Sequence, residues 1–336
     1  MNFLVIGLGS AGQRHLRVLQ NKVGPNDLVF AYRGTHKRGL ISEDLQSEDF
    51  NIDPINAYGA NEITLLEEIS TITWDLAIIA TPPSSHLQYF EKIVGNSERI
   101  LIEKPIEIDL CAALKIQELT IQSKIPVFVA YQLSFHRIVK LISEWIGTIG
   151  EIKKCQSQFS EFMNDMNPFR SMNSHHLASP DGGGVFMALS HDVDLTLLVL
   201  GVTEFKNCDF RNVILNDQNA LIQCALNAEI IKDGKAIVLE SFFSLMEGPS
   251  VRNCVILGAL GTIEWNLITG KFLVLDNNRT VIFEQNLSFE KDQMFLQEID
   301  FLFSTAARRR MTAAASWASP PRSMLSTDAR YVLESV

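Results

Sequence analysis

No apolar run in these 336 residues reaches the ~18–20 needed to cross a bilayer as a helix, which excludes a protein built on membrane helices. Cysteine is sparse. The five are Cys111, Cys155, Cys208, Cys224 and Cys254, scattered, odd in number and without a CxxC pair, a pattern of reduced thiols rather than a disulfide framework or zinc site. The 11 prolines and 19 glycines are too few for a collagen-like or low-complexity chain. Basic residues are outnumbered, 29 against 39 acidic ones, and the net charge of −10 repels a phosphate backbone, so nucleic acid is not an expected partner. The one basic cluster, Arg308 to Arg310, reads as a solvated face or loop. The first residues lack a basic stretch, and their apolar run is too short for a signal peptide. A cytoplasmic protein without a membrane partner is expected. No Asp, Glu, His or Cys set has metal-ligand spacing, so no metal is expected.

What is present is ordinary globular composition, 46% hydrophobic and 20% charged, in a chain long enough for two domains. Short apolar runs at 3–6, 28–32, 76–80, 100–102 and 127–131 alternate with helical stretches at 13–20, 65–69, 86–95 and 110–123. Runs buried on both faces and separated by helices predict a doubly wound parallel sheet. Residues 152–162, 219–230, 235–246, 251–257, 261–267, 271–275 and 280–285 instead read as consecutive strands punctuated by Gly, Asn and Asp, predicting one largely antiparallel sheet with one or two covering helices. The expected division is 1–125, 126–305 and an irregular tail over 306–336 rich in Ala, Arg and Ser.

The sequence Gly7-Leu8-Gly9-Ser10-Ala11-Gly12 is a GxGxxG directly after the first strand and at the opening of a helix. Gly7 allows the tight turn, Gly9 lets backbone approach a pyrophosphate, and Gly12 lets helix pack on strand. The turn, with Ser10 and Ala11 at the helix N-terminus, offers free N–H groups to phosphates. A dinucleotide is therefore the expected ligand. The second strand ends at Tyr32-Arg33-Gly34-Thr35-His36-Lys37-Arg38, without the acid that usually binds the ribose 2′-hydroxyl of NAD. Arg33 can pair with a 2′-phosphate, with Thr35, Lys37 or Arg38 assisting, so NADP(H) is favoured over NAD(H); the alternative is a solvated basic loop.

Two further segments follow strands at the edge where open α/β sheets bind ligands. Ala80-Thr81-Pro82-Pro83-Ser84-Ser85-His86 places Thr81, Pro82 and His86 there, and Glu103-Lys104-Pro105 places Glu103 and Lys104. A lysine amine can donate to a substrate hydroxyl or carbonyl. In Gly182-Gly183-Gly184-Val185-Phe186-Met187-Ala188-Leu189-Ser190-His191-Asp192-Val193-Asp194, His191 and Asp194 stand three apart, on one face of a helix. A histidine is the usual proton-transfer group near neutral pH.

These segments together resemble the glucose–fructose oxidoreductase / inositol dehydrogenase / rhizopine catabolism (Gfo/Idh/MocA) family. The matching pieces are GLGSAGQRH (7–15), ATPPSSH (80–86), EKP (103–105), AYQLSFHR (130–137), GGGVFMALSHDVD (182–194) and GALGTIEW (258–265), in the family's order over about residues 1–300. The resemblance implies a Rossmann domain followed by an α/β domain with an open, mostly antiparallel sheet whose face makes a homodimer or homotetramer. It implies hydride transfer between a nicotinamide and a hydroxyl-bearing carbon of a sugar, sugar nucleotide or cyclitol. The family's catalytic lysine falls on Lys104 and its catalytic histidine on His191. Many members carry an acidic residue shortly before that histidine; here the stretch is Ala188-Leu189-Ser190-His191, so either the substrate is oriented differently or Asp194 orients His191. Relatives of the same fold include dinucleotide-sensing regulators without catalysis and enzymes that recycle a tightly held cofactor, which stand as alternatives.

Other candidates rest on position alone. Tyr131, Gln132 and His136 follow the fifth strand and are expected near nicotinamide or substrate. Asn164, Asp165, Asn167 and Arg170 form a polar stretch in which Arg170 could bind a substrate carboxylate or phosphate. His175 and His176 are adjacent, so their side chains need not converge.

Overall fold

The structure, a computed structural model, describes residues 1–34, 38–162, 165, 184–185, 190–201, 204–246, 248–287 and 291–304. The described chain forms two compact units. The first holds residues 1–131 together with a returning segment from Lys291. Its strands are β1 (Asn2–Ile6), β2 (Leu28–Tyr32), the short pair β3 (Leu40–Ile41) and β4 (Glu48–Asp49), β5 (Asn61–Ile63), β6 (Leu76–Ile79), β7 (Ile100–Glu103) and β8 (Val127–Ala130). Six of them make a parallel sheet in the order β5-β2-β1-β6-β7-β8. β1, β6 and β7 are apolar and buried almost throughout, because helices cover both faces of the sheet.

Between these strands run the helices α1 (Ser10–Lys22), α2 (Pro54–Ala57), α3 (His86–Ile93) and α4 (Leu110–Ser123). Asp109 starts α4 by accepting the Ala112 N–H at 2.7 Å, and Lys124, in the left-handed region at φ 58°, ends it. The chain runs outward from β1 through β2 to β5, then crosses back to β6. The switch in direction lies between the ends of β1 and β6, where such sheets open a ligand crevice.

The second unit begins at Gln132. It contains α5 (Arg137–Trp145), β9 (Ile152–Ser160), α6 (Ser190–Leu200), β10 (Glu204–Leu215), β11 (Leu221–Lys232), β12 (Lys235–Ser244), β13 (Val251–Gly258), β14 (Gly261–Asn266), β15 (Lys271–Asp276) and β16 (Val281–Asn286). The strands form one eight-stranded sheet in the order β10-β11-β12-β9-β13-β14-β15-β16, antiparallel except for the β12–β9 pair. Period-2 alternation gives the sheet two unlike faces. Cys155, Phe159, Leu239, Phe243, Cys254 and Ile256 are buried on one, while Gln156, Gln158, Val238 and Glu240 line the other. Trp145 at the end of α5 stacks on Phe283 of β16 at 4.7 Å on the buried side.

Two boundaries differ from those expected. The first unit extends through Tyr131 rather than ending at 125, because β8 pairs with β7 and belongs to the parallel sheet. Residues 291–304 return to the first unit instead of closing the second. There α7 (Lys291–Phe303) buries Met294, Phe295, Ile299 and Leu302 on one face, and Phe295, Ile299 and Leu302 join the core formed by Phe3, Leu16 and Leu19. Arg17 of α1 holds Asp292 of α7 through two hydrogen bonds of 2.9 Å. The expected tail over 306–336 lies outside the described residues. Among the described residues no helix is long and apolar enough to cross a membrane.

Phe295→Ala should therefore lower the stability of the first unit by about 3 kcal/mol, the usual cost of truncating a buried aromatic. Urea unfolding followed by a first-unit probe such as Trp74 fluorescence checks this. An unchanged midpoint would show that α7 is not part of that core.

Candidate functional site

Gly7 leaves β1 with φ +94°, a conformation suited to glycine, and a Cβ there would lie 2.6 Å from the Ala80 carbonyl oxygen. A Cβ on Gly12 would lie 1.9 Å from the Gly7 carbonyl oxygen, so α1 starts directly against the turn. A Cβ on Gly9, in contrast, would meet nothing within 4 Å. Gly9 is the N-cap of α1 without a side-chain cap, and the first turn carries no acidic residue. The N–H groups of Ser10, Ala11 and Gly12 have no acceptor among the described residues, since the first helical bond is Gln13 N–H to the Gly9 carbonyl at 2.9 Å. An open backbone, uncapped N–H groups and a positive helix end together form a cradle for a pyrophosphate. The residues present fit a dinucleotide.

Sequence reasoning missed the support for this cradle. Gln13 is buried. Its Nε2 donates to the Leu8 carbonyl at 3.1 Å and the Gly39 carbonyl at 2.8 Å, and its Oε1 accepts the Ile41 N–H at 2.8 Å. Polar residues inside a helix seldom advertise such a role.

The expected residues of the first unit gather at the C-terminal ends of its strands. Arg33 follows β2, Thr81 and Pro82 follow β6, Lys104 follows β7 and Tyr131 follows β8. Thr81 is half-buried and Pro82 exposed, so both remain available at the crevice edge.

Three assignments are corrected. His86 is fully buried, with Nε2 2.9 Å from the Thr81 carbonyl oxygen and Nδ1 3.1 Å from that of Ile106. It ties the turn after β6 to the segment after β7 and has no open edge for a ligand. Glu103 is also buried. His15 Nε2 donates to its Oε1 at 2.8 Å, and the Lys104 N–H donates to its Oε2 at 3.2 Å. Glu103 therefore holds α1 and the start of Lys104 in place instead of touching a cofactor. Burial opposes ionisation of this carboxyl, but the His15 hydrogen bond and the charges of His15 and Lys104 outweigh it, leaving it below its ordinary value. Arg33, expected as an open fork for a 2′-phosphate, is already engaged. Its Nε donates to Glu62 Oε1 at 2.7 Å and its Nη2 to Asp53 Oδ2 at 2.8 Å.

In the second unit, His191 and Asp194 lie on α6, three residues apart as expected. Between them Asp192 is 1% exposed and accepts a 2.6 Å hydrogen bond from Arg252 Nη2 on β13, an ion pair that fastens α6 to the sheet. The Thr196 hydroxyl donates to the Asp192 carbonyl at 2.8 Å. Gln132 opens a 3-10 turn over Gln132–Phe135. His136 caps α5, its Nδ1 accepting the Ile138 N–H at 3.1 Å, and burial and the Arg252 charge push its pKa down. That capping bond gives it a structural role at the start of α5. Thr35, Lys37, Asn164, Asn167, Arg170, His175, His176, Gly182 and Gly183 lie outside the described residues.

Residues 1–131 match a family model described as an oxidoreductase family with an NAD-binding Rossmann fold, GFO_IDH_MocA. The chain is 25% identical over 283 residues to Oxidoreductase P35 of Formosa agariphila, covering 82% of this chain and 83% of that protein. Among solved structures, biliverdin reductase of Synechocystis sp. PCC 6803, in complex with biliverdin and NADP+, superposes with TM-score 0.68 at 15% identity, covering 99% and 96% of the two chains. UDP-N-acetylglucosamine 3-dehydrogenase GnnA of Acidithiobacillus ferrooxidans superposes with TM-score 0.67 at 16% identity, covering 95% and 96%. At these identities the two structures share the fold of this chain.

Two outcomes test the internal supports of the site. Glu103→Gln should cost about 1–3 kcal/mol at neutral pH, because a buried charge-assisted hydrogen bond is weakened. The folded carboxyl titrates below its ordinary value of 4.5, so its contribution is present above that pH and is lost as pH falls through the folded value. The stability gap between wild type and variant should therefore close in acid, and a gap that widened below pH 4.5 would contradict the assignment. Arg252→Ala should cost about 3–5 kcal/mol by stranding Asp192, and adding Asp192→Asn should recover part of the loss. Additive losses in that double-mutant cycle would show that the pair is not coupled.

Proposed function

We propose that this chain, whose residues 1–131 match the Gfo/Idh/MocA oxidoreductase model, is an NAD(P)-dependent dehydrogenase acting on a hydroxyl-bearing carbon of a sugar, sugar nucleotide or cyclitol. The observation that carries this reading is the uncapped glycine turn on a parallel strand, with Thr81 and Lys104 at the ends of the next two strands across the sheet. A sugar-nucleotide dehydrogenase among the structures of the same fold is in keeping with the substrate class.

A bound nicotinamide dinucleotide supplies the hydride acceptor in oxidation and the hydride donor in reduction. The first turn of α1 would hold the pyrophosphate through its N–H groups, with Gly9 open to close approach. Thr81 and Pro82 line the crevice beside it. Lys104 donates a hydrogen bond to the reacting oxygen and favours negative charge there, its backbone held at the strand end by Glu103. The resemblance assigns the proton-transfer role to His191, which stands on a helix anchored through Asp192. Asp194, one turn along the same helix, is the candidate to orient His191 or the substrate.

The test is a spectrophotometric assay of nicotinamide reduction and oxidation against a panel of sugar nucleotides, free sugars and cyclitols. Lys104→Met and His191→Ala should each cut turnover by about 100-fold or more, the usual share of one proton-transfer group. Dinucleotide binding should persist in both. Near-normal turnover in either variant would remove that residue from the chemistry. Binding without turnover of any member of the panel would favour a sensing regulator.

A further inference from the structure

The acid that the second strand lacks in sequence is supplied in space. Asp53 stands 20 residues after Arg33 and Glu62 stands 29 after it, and both carboxylates converge on its guanidinium. We propose that Asp53 and Glu62 are the specificity-determining residues at the ribose end of the dinucleotide site. They select NAD(H) against NADP(H), and Arg33 serves as their strut. The proposal deepens the dehydrogenase reading above and rests on its dinucleotide.

Placement comes first. Arg33 directly follows β2, and β5 runs alongside β2 with Tyr32 opposite Ile63 and Ala31 opposite Glu62. Glu62 therefore sits at the same C-terminal edge as Arg33, the edge at which this type of sheet binds the ribose. Asp53 is fixed independently, since its Oδ1 caps α2 by accepting the Ile55 N–H at 2.8 Å.

Occupancy comes second. A phosphate pairs best with two adjacent N–H groups of one guanidinium edge. On Arg33 the edge made by Nε and Nη2 is taken by Glu62 and Asp53, and the other edge shares the engaged Nη2. The Arg33 side chain is only 16% exposed, so the clamp holds it largely out of solvent.

Charge decides the sign. One guanidinium faces two carboxylates, so these three side chains sum to −1. Hydrogen bonds and the opposite charge of Arg33 also hold Asp53 below its ordinary value despite its partial burial, so it stays ionised at neutral pH. A 2′-phosphate brought to these three side chains meets net like charge. A 2′-hydroxyl meets acceptors, because Glu62 Oε2 accepts no hydrogen bond among the described residues and its side chain is 41% exposed. A hydroxyl can donate to a carboxylate, whereas a phosphate dianion cannot.

The experiment is fluorescence titration of NADH and NADPH, at one salt concentration, against the full chain. It compares wild type, Glu62→Gln and the double variant Asp53→Asn/Glu62→Gln. Asparagine retains the α2 cap, and Glu62→Gln alone changes a partly exposed position, so fold is preserved. Wild type should bind NADH about tenfold or more tighter than NADPH, the scale of one like-charge contact at a partly solvated site. The double variant frees Arg33 and should shift the ratio toward NADPH by about tenfold or more, mainly through tighter NADPH binding, with the single variant moving it the same way. Wild type binding NADPH as tightly as NADH, or a ratio unchanged in the double variant, overturns the assignment. Binding of neither dinucleotide overturns the dehydrogenase reading itself, and this one with it.

Discussion

The backbone contact between the Gly7 carbonyl and Gly12 sets the geometry of the first unit. With only hydrogen at Gly12, α1 begins against the turn that leaves β1. Everything that α1 carries is thereby indexed to the sheet edge. Gln13 reaches the carbonyls of Leu8 and Gly39. His15 reaches Glu103 under the end of β7, and Arg17 reaches Asp292 on α7. A side chain at Gly12 would displace the helix and every one of these contacts. The same closeness leaves the first N–H groups of α1 without acceptors among the described residues at Gly9, open to a ligand rather than used by the fold.

The polar interior is arranged to fix elements that carry candidate chemistry. Burying a charge is costly, and a buried pair seldom adds net stability over an apolar replacement. The Asp192–Arg252 pair nonetheless stands on α6 directly beside His191, and the Glu103–His15 pair stands directly before Lys104. An apolar contact at either place would tolerate sliding. A hydrogen-bonded pair specifies register and orientation, as positioning a reacting group requires.

The elements read from sequence are those whose stability is local or whose burial is complete. The apolar runs of β1, β2, β6, β7 and β8 announce a parallel sheet, and α4 is read to the residue because its Asp109 cap and apolar spacing agree. β5 escapes notice because Asn-Glu-Ile is a short, polar strand at the sheet edge, buried only at Ile63. α7 escapes because its apolar face answers a core formed nearly 300 residues earlier in the chain, around Phe3 and Leu16. Thr81, Pro82 and Lys104 stand at strand ends and His191 on α6, positions that the local apolar pattern makes legible. Arg33, Glu103 and His86 depart from expectation for one reason: a motif gives a residue's place along the chain, but not the partner the fold brings to it. Asp53 and Glu62 could have been suspected only from the pairing of β5 with β2, which three residues of sequence do not specify.

One further acid belongs to the Glu103 cluster. Glu298 of α7 is 3% exposed, and burial together with the nearby charge of Glu103 pushes its carboxyl well above the ordinary carboxylate value. Two carboxyls in one apolar setting do not both ionise, and the hydrogen bonds decide which one does. Glu103 accepts from His15 and from the Lys104 backbone, whereas Glu298 leaves its Oε2 without a partner among the described residues. The charge therefore settles on Glu103 and the proton on Glu298. The result is a single buried negative charge at the strand end where Lys104 begins, hydrogen-bonded from the α1 side by His15. A cationic side chain emerging there gains from the carboxylate behind it. α7, returning from the far end of the chain, completes the low-dielectric wall that keeps the second carboxyl neutral.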